Sequence, residues 1–495
     1  MSKVDTLKEA SFGKPIAEDE SRELGNYFVQ TSIWQKIFNG STDIIYGPKG
    51  SGKSAIFTNI IGNEDPLFDR RILLAVAENP RGAPVFQNLK ADPPTSEIEF
   101  ERFWKLYFLI LYSQNVNDYG INNEHSQKLI GALKSADLIP DSSNILSILL
   151  KTVAYLKLSR IEGVEGGVEI DPFTGLAKGF KGKIIFAEPT QEQKRNAFFS
   201  LDNLLDLLDR SLREAKYSMW ILIDRLDVAF DDTPELERNA LRALFKVYLD
   251  LKKYDSMRLK IFLRDDIWAN ITKGGFREAS HIIDFVSIGW DRQNILDLII
   301  KRIFNNKGIL NEYDISADKI LSHNDRLEVF HKIFPKQIDL GEKRPNSFEW
   351  IISRISDGQK IFSPREIVQL LNFARDNELE KIEQGDSELD QDKLISRSSF
   401  KDAVPKVSKV RMEQTIFAER PDYKDCIMKL VNEKSGQTIR SLQKIWELSP
   451  GESRAWAEKL SEIGIFEKKG DKGNIKYWIP FMYRDYLKIV QGDAV

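Results

Sequence analysis

The residues best suited to chemistry form a short run near the start of the chain, GPKGSGKS at positions 47–54. The run satisfies the G-x-x-x-x-G-K-[ST] pattern, in which glycines let backbone amides turn towards phosphate oxygens and the following helix presents its positive end. Lys53 has the reach and charge to contact the β and γ phosphates of a nucleotide, and Ser54 can coordinate Mg²⁺. A chance glycine-lysine turn is the competing interpretation, which the apolar run before the loop disfavours. The predicted cradle comprises Gly47, Pro48, Lys49, Gly50, Ser51, Gly52, Lys53 and Ser54.

Two carboxylates follow an apolar run further along the chain, in WILIDRLD. Asp224 comes directly after the apolar residues, where a carboxylate at the end of a parallel strand can hold the Mg²⁺ of a bound nucleotide. Asp227 lies a few positions later, where it could orient or activate a water molecule. The alternative is a local structural role, which for Asp224 is the capping of a turn. Because Arg225 stands where many ATPases carry a glutamate, the identity of the catalytic base stays open.

Two arginines are placed to report the state of a bound phosphate. Arg264, in LKIFLRDD, ends an apolar run on the edge where ligands collect in open parallel sheets, and a salt bridge to Asp265 or Asp266 is its alternative. Arg365, in SPRE, begins a predicted helix from which it could reach back to the phosphates. Its alternative is an exposed arginine in a first helical turn. The candidate catalytic residues are Asp227, Asp224, Arg264 and Arg365, and the candidate metal ligands are Ser54 and Asp224.

Apolar runs separated by helix-like segments predict the sheet that must position these residues. Such alternation is typical of an α/β protein with a parallel, helix-covered sheet. A long interval between the second and third runs carries amphipathic helices and a glycine-rich stretch, GVEGGVEIDPFTGLAKGFKGKIIF, which suggests a hairpin or flexible loop. We interpret residues 97–200 as an insertion in the sheet domain. The predicted strands are residues 43–46, 72–77, 220–223, 259–263 and 282–288.

The pattern turns helical after Trp290 and changes again near residue 421. The segments DRQNILDLIIKRIF, NSFEWIISRIS and SPREIVQLLNFARDNE predict a helical lid, followed by an acidic linker at residues 380–393. The remainder has the order helix, helix, helix and hairpin, which is that of a winged helix-turn-helix. The predicted domains are an N-terminal segment at 1–23, a P-loop domain at 24–289, a lid at 290–420 and a winged helix at 421–495.

As a set, GPKGSGKS, WILIDRLD, LKIFLRDD, SPRE and the terminal winged helix resemble bacterial P-loop ATPases on the border between STAND switches and origin-recognition-like AAA+ proteins. The motifs KGSGKSAI and IDRLD are similar to those of one bacterial ATPase family. The resemblance implies ATP and Mg²⁺ as cofactors and a molecular switch in bacterial defence or DNA transactions. The implied roles are Walker-type residues at Lys53, Ser54 and Asp224, a second acid at Asp227, sensor 1 at Arg264 and sensor 2 at Arg365.

The charge of the chain does not decide whether the partner of such a switch is DNA or another protein. The 495-residue chain has a net charge of −3, so any contact with nucleic acid needs a local basic patch. Residues 421–495 carry 13 basic and 11 acidic side chains, which is weak for a DNA reader. A DNA contact and a protein-binding role both stay open, as does a DNA-binding regulator that senses ATP with little turnover. The basic candidates for double-stranded DNA are Arg454, Lys459, Lys468, Lys469, Lys472 and Lys476.

Several classes are disfavoured by what the sequence lacks. The single cysteine, Cys426, cannot pair within the chain, and the four histidines have no metal-ligand spacing. No signal peptide or membrane-spanning run is evident, so we expect a cytoplasmic protein without membrane contact. The absence of an N-K-x-D signature disfavours a GTPase, and the absence of an LSGGQ-like signature disfavours a transporter ATPase. A protein partner or a homo-oligomer remains compatible with the sequence.

Overall fold

The computed structural model describes most of the chain. Asp227, Lys472 and most of the glycine-rich stretch lie outside the described residues, so their predicted roles have no structural counterpart here. The ranges outside the description are 1–2, 16–19, 21–22, 78–93, 95, 140–143, 162–183, 187–198, 227–233, 274, 317–321, 386–391, 472–474 and 495.

The described residues divide into two compact units. The sheet unit comprises residues 32–48 and 56–288, and the helical unit comprises residues 1–31, 49–55 and 289–495. Each has its own hydrophobic core. The finer division into N-terminal segment, P-loop domain, lid and winged helix stays a prediction.

The strands of the sheet unit are short and mostly buried on both faces. Strands that are covered on both faces have near-continuous apolar sequences, which makes them recognisable in the amino-acid sequence. Each of the five predicted strands has a counterpart, with ends that differ by a few residues, and two further short strands at residues 184–185 and 199–200 were not predicted. The strands of the whole chain are β1 (Ile44–Gly47), β2 (Ile72–Val76), β3 (Ile184–Ile185), β4 (Phe199–Ser200), β5 (Ser218–Ile223), β6 (Met257–Arg264), β7 (Phe285–Ser287), β8 (Lys434–Gln437), β9 (Glu467–Lys469), β10 (Lys476–Trp478) and β11 (Val490–Asp493).

The central sheet has the order β2-β5-β6-β1-β7, and all of its pairings are parallel. Ile44 of β1 and Ile223 of β5 both pair with Ile261 of β6, and Gly47 pairs with Arg264. Because parallel strands end at the same edge, the residues that follow β1, β5 and β6 meet there. The predicted α/β class with a parallel sheet is confirmed.

Helices connect and cover these strands. None within the described ranges is both long and apolar enough to cross a membrane. The helices are α1 (Lys3–Glu9), α2 (Leu24–Tyr27), α3 (Ser32–Phe38), α4 (Lys53–Ile61), α5 (Glu64–Asp69), α6 (Glu97–Asp118), α7 (Glu124–Ser135), α8 (Ile145–Ile161), α9 (Leu201–Glu214), α10 (Pro234–Leu251), α11 (Asp265–Lys273), α12 (Arg292–Phe304), α13 (Lys307–Glu312), α14 (His323–Ile333), α15 (Ser347–Ile355), α16 (Pro364–Glu383), α17 (Arg397–Arg411), α18 (Phe417–Glu419), α19 (Lys424–Met428), α20 (Ile439–Trp446), α21 (Pro450–Glu462) and α22 (Phe481–Leu487).

The first helix of the predicted insertion, α6, is built into the core of the sheet unit. Its indole Trp104 Nε1 donates to the Ala240 carbonyl at 2.8 Å, and the Tyr107 hydroxyl donates to the Ala77 carbonyl at 2.6 Å. Both side chains are fully buried, so their polar atoms need these partners. The helix therefore packs between α10 and the end of β2 as part of the sheet unit.

The helical unit ends in a small second sheet with the order β11-β8-β10-β9. Strand β10 runs antiparallel to both β8 and β9, and β11 runs parallel to β8. Helices α20 and α21 lie between β8 and β9 in the chain, and capping boxes at Thr438 and Ser449 mark where they begin. Between α17 and α18 the backbone forms a π-helical turn, Met412–Ile416.

The predicted acidic linker begins later than its composition indicates. Helix α16 continues to Glu383, because Leu379 and Ile382 pack against the core of the helical unit. The exposed side of this last turn is also tied down, since Lys381 forms an ion pair with Asp402 at 2.7 Å. Packing thus extends the helix into a sequence whose charge alone suggested a loop.

Candidate functional site

The glycine-rich loop leaves the sheet after β1 and runs directly into α4. Gly50 has φ +82° and Gly52 has φ +98°, backbone conformations that residues with a Cβ rarely adopt. Helix α4 then starts at Lys53, and Ser54 follows it, both half-buried. This is the strand, loop and helix order that a phosphate cradle requires, with the helix amino end at the close of the loop.

Residues of the helical unit crowd the middle of the loop. A Cβ placed on Gly50 would lie 3.0 Å from the Ser363 hydroxyl and 3.1 Å from the Arg365 Cβ. Arg365 is the second residue of α16 and is half-buried, and its Nε has no hydrogen-bond partner among the described residues. The sequence placed Arg365 near a phosphate site, and the structure places it beside the loop.

Trp290 and Ser51 form a second contact at the loop. The indole Nε1 of Trp290 donates to the Ser51 carbonyl at 2.7 Å, and its ring faces Gly52. Ser51 is 1% exposed, and in the described structure its hydroxyl has no hydrogen-bond partner. An unpaired buried hydroxyl is costly, so this oxygen is well placed to meet an incoming polar group.

Lys49 reaches away from the loop, towards the π-helical turn. Its Nζ donates to the Gln414 carbonyl at 3.0 Å and lies 3.6 Å from a Glu419 carboxylate oxygen. Its side chain therefore holds the loop to residues 412–419, and its predicted part in the cradle rests on its backbone amide.

In the sheet unit, Asp224 lies immediately after β5 on the edge where β1 and β6 also end. It is 7% exposed, and one carboxylate oxygen accepts the backbone N–H of Arg225 at 2.8 Å. Arg225 has φ +61°, a left-handed conformation that is uncommon for a residue other than glycine. Local strain of this kind often accompanies functional turns.

Arg264 ends β6 on the same edge, but its guanidinium is engaged locally. Its Nε and an Nη donate to the two carboxylate oxygens of Asp266 at 3.0 and 2.7 Å. This bidentate pair is the alternative that the sequence left open for Arg264. A phosphate would have to displace Asp266 to use this side chain.

The sequence did not single out Glu366 and Arg411. Arg411 Nη1 donates to a Glu366 carboxylate oxygen at 2.9 Å, and Ser363 donates its hydroxyl to the other oxygen. Glu366 is 2% exposed. Its position next to Arg365 was visible in SPRE, but its buried partner lies 45 residues away and has no local pattern.

The lysines predicted to bind DNA mostly have acidic or aromatic neighbours within the chain. Lys468 pairs with Glu458, and Lys476 pairs with Asp493 at 2.6 Å. Such neighbours reduce the net positive charge that a DNA backbone would meet. The other described candidates are Lys469, 3.4 Å from Glu467 and 4.4 Å from the Trp478 ring centre, Lys459, 4.8 Å from the Trp456 ring centre, and the exposed Arg454.

The tryptophans of this region belong to its core. Trp446 is 2% exposed and donates its indole N–H to the Cys426 carbonyl at 3.0 Å. Trp456 is half-buried and packs edge-on to Tyr423. Both rings therefore contribute to the hydrophobic core of the helical unit.

No protein-family model and no curated protein sequence matches the chain. Solved structures with similarity include the ORC2 protein of Aeropyrum pernix in its ADPNP-ADP complexes, at 11% identity and a TM-score of 0.29, covering 95% of this chain and 92% of that one. The ORC1 protein of Aeropyrum pernix in complex with DNA is 10% identical, with a TM-score of 0.34 and coverage of 93% and 92%. Both are archaeal proteins.

Proposed function

We propose that the chain binds ATP with Mg²⁺ at residues 47–54 and hydrolyses it as a molecular switch. The observation that carries the proposal is the loop itself, in which two glycines at positive φ connect a buried parallel strand to a helix that begins with Lys53 and Ser54. The buried, unpartnered hydroxyl of Ser51 also fits a polyanionic ligand. Bound Mg²⁺ would neutralise charge on the phosphate oxygens.

Each residue has one proposed task. The backbone amides of the loop bind phosphate oxygens, and Lys53 supplies a positive charge to the β and γ phosphates. Ser54 and Asp224 provide the oxygen ligands that Mg²⁺ prefers. Arg365 contacts the terminal phosphate and Asp227 orients water, whereas Arg264 takes part only if it releases Asp266.

The switch follows from what the helical unit contains. Residues 49–55 of the loop belong to the same compact unit as α16, the π-helical turn and the C-terminal sheet. A phosphate that moves Arg365 or Lys49 therefore acts on this unit directly. We propose that the C-terminal winged helix receives this change, in the bacterial defence or DNA setting that the motifs imply.

Mg²⁺-dependent ATP turnover by Lys53→Ala tests this proposal. Removal of the ammonium should weaken ATP binding by about 100-fold, since it deletes a charge-assisted contact to the phosphates. Lys128→Ala, on the exposed surface of α7, is the matched control and should behave as wild type. If Lys53→Ala binds ATP as tightly as wild type and turns it over equally fast, the assignment is wrong.

A DNA-binding regulator that senses ATP with little turnover is the second candidate. Two observations favour it: Arg225 replaces a glutamate after Asp224, and Asp266 occupies the Arg264 guanidinium. Turnover measured with and without double-stranded DNA at two salt concentrations separates the candidates. Salt-sensitive stimulation by DNA supports a DNA-coupled ATPase, and DNA binding without measurable turnover supports the regulator.

A further inference from the structure

The first turn of α16 packs closely against residues 47–54, here called the phosphate loop after its proposed role. Beyond the contacts at the Ser363 hydroxyl and the Arg365 Cβ, the Arg365 Nε lies 3.4 Å from the site of a Cβ on Gly50. Contacts of this kind leave the turn little freedom to shift without moving the loop. The position of Arg365 therefore depends on whatever fixes this turn.

A buried chain of hydrogen bonds fixes the first turn of α16. Ser363, at the amino end of α16, makes no capping bond to the helix and donates instead to Glu366. Glu366 also accepts from Arg411, and the exposed side-chain fractions of this ion pair are 12% for Arg411 and 3% for Glu366. Burial alone would lower the pKa of Arg411, but the Glu366 carboxylate, together with Tyr483 and Asp357, outweighs that effect and raises it. The Arg411 guanidinium is therefore held in its charged form beside Glu366.

We propose that Glu366 and Arg411 are positioning residues that hold Arg365 at the phosphate loop and so set its ability to distinguish ATP from ADP. The inference rests on the proposed function in one respect, the binding of a nucleotide by the loop. Arg411 and Glu366 act through Arg365, because Arg411 donates to Glu366, Glu366 accepts from Ser363, and Ser363 and Arg365 are the residues that border Gly50.

The segment that carries Arg411 also holds the loop at a second point. The Gln414 carbonyl, one helical turn further on, accepts the hydrogen bond from Lys49. Lys49 is therefore restrained by the segment that carries Arg411, and Gly50 is bordered by the first turn of α16. The pairing of Arg411 with Glu366 links that segment to this turn.

A second buried pair in the same unit provides the contrast. Arg302 and Glu20 are 7% and 5% exposed and lie 3.2 Å apart. Arg302 also donates to the Phe12 carbonyl at 2.6 Å, so this pair anchors the N-terminal segment. Its burial is similar to that of Arg411 and Glu366, and its hydrogen-bond and ion-pair partners among the described residues lie outside the loop. Glu20→Gln is therefore the matched control for Glu366→Gln.

The experiment combines amide hydrogen exchange of nucleotide-free protein with the dissociation constants of ATP and ADP. In Glu366→Gln, the amides of residues 49–54 should exchange about tenfold faster than in wild type, because the turn behind Arg365 loosens. The dissociation constant of ATP should rise about tenfold and that of ADP less than about twofold. Arg411→Met removes the charge and should abolish the ATP preference, whereas Arg411→Lys keeps the charge and should retain part of that preference. Glu20→Gln should leave both readouts unchanged.

One further variant and two defined outcomes keep the experiment decisive. If Glu366→Gln does not fold, Ser363→Ala removes a single link and should shift both readouts in the same direction by a smaller factor. If the wild type binds neither nucleotide, the proposed function fails, and the exchange rates alone decide whether the pair positions the loop. If the wild type binds ATP but Glu366→Gln leaves exchange and the ATP-to-ADP ratio unchanged, the positioning role is wrong and the proposed function stands.

Discussion

Two buried ion pairs have similar burial but different surroundings. In the sheet unit, Lys260 and Asp43 are 0% and 1% exposed and 2.8 Å apart. Lys260 also donates to the Thr42 carbonyl and lies 4.3 Å from the ring centre of Trp220, while Tyr248 donates to Asp43 at 3.2 Å. This group lies at the amino end of β1, whereas the phosphate loop follows its carboxyl end. Arg411 and Glu366, in contrast, are linked through Ser363 to the loop itself.

The difference indicates how the role of a buried charge can be inferred. A buried ion pair is by itself weak evidence for a functional site, since desolvation offsets much of its attraction. The neighbours decide: Lys260 and Asp43 contact Thr42, Trp220, Tyr248 and Arg258, all residues of the sheet unit outside 47–54, so we expect an effect on stability alone. Arg411 and Glu366 should affect both stability and ligand discrimination.

The largest effect should come from Asp43→Asn, which leaves the Lys260 charge buried without a carboxylate. Removing one partner of such a pair costs about 3–5 kcal/mol. Hydrogen exchange of the amides of β1 and β6 gives the free energy of opening directly. The ATP-to-ADP preference of the folded fraction should stay that of wild type, and a changed preference would break the comparison.

The double variant Asp43→Asn with Lys260→Met is the control for this prediction. It removes both charges and should recover most of the lost free energy of unfolding, because no buried unpaired ion remains and Arg258, which also pairs with Asp43, is exposed to solvent. A double variant no more stable than Asp43→Asn would show that the cost arises from packing and not from charge.

An intermediate effect is expected at Gly358, in the loop that precedes α16. Its N–H donates to the Gly464 carbonyl at 2.6 Å, and a Cβ there would lie 2.2 Å from the Phe466 carbonyl oxygen. Gly358→Ala should therefore destabilise this contact by about 1–3 kcal/mol. The readout is faster amide exchange across residues 464–469. Gly451→Ala, in open space on α21, should show no such change.

The smallest effect concerns Asp357, whose pKa is raised by burial from its ordinary value of 3.8, although Arg411 opposes the shift. Its carboxylate accepts the backbone N–H groups of Gln359 and Ile361 at 2.9 Å. Because the folded state holds this proton more tightly, the contribution of Asp357 to stability is present below pH 3.8 and is lost as pH rises through the raised pKa.

Asp357→Asn keeps the acceptor and removes the ionisation. The variant should match wild type below pH 3.8 and become the more stable protein as the pH rises, with the gap levelling off above the raised pKa. Urea unfolding across this pH range measures the gap. A gap that narrows with rising pH would contradict the assigned direction of the shift.

Much of the fold was predictable because most strands of the central sheet are buried on both faces, although β7 at its edge is more exposed. Continuous apolar runs located β1, β2, β5, β6 and β7, and the glycine-rich motif located the turn into α4. Helix ends were less certain: the charged end of α16 looks like a loop until Leu379 and Ile382 meet the core. Local patterns carry no information about such distant packing.

The site was predictable only in its local part. Arg365 lies beside the loop, as its position in SPRE suggested. For Arg264 the sequence left open a phosphate contact and a salt bridge, and only the three-dimensional structure shows the pairing with Asp266. Glu366 and Arg411 escaped notice because a pair separated by 45 residues has no helical or strand period to reveal it. Asp227 lies outside the described residues, so its role stays a prediction.

The sheet order also constrains when the phosphate loop can form during synthesis. Strand β1 lies between β6 and β7, and Asp43 at its start is 217 residues from its partner Lys260. At about 5–20 residues per second, a ribosome needs about 10–40 seconds to make that stretch. Through this interval the β1 segment leaves the ribosome without either neighbouring strand. The motif that appears first in the sequence is therefore completed late, and the nascent chain carries an unpaired apolar strand that a chaperone would recognise.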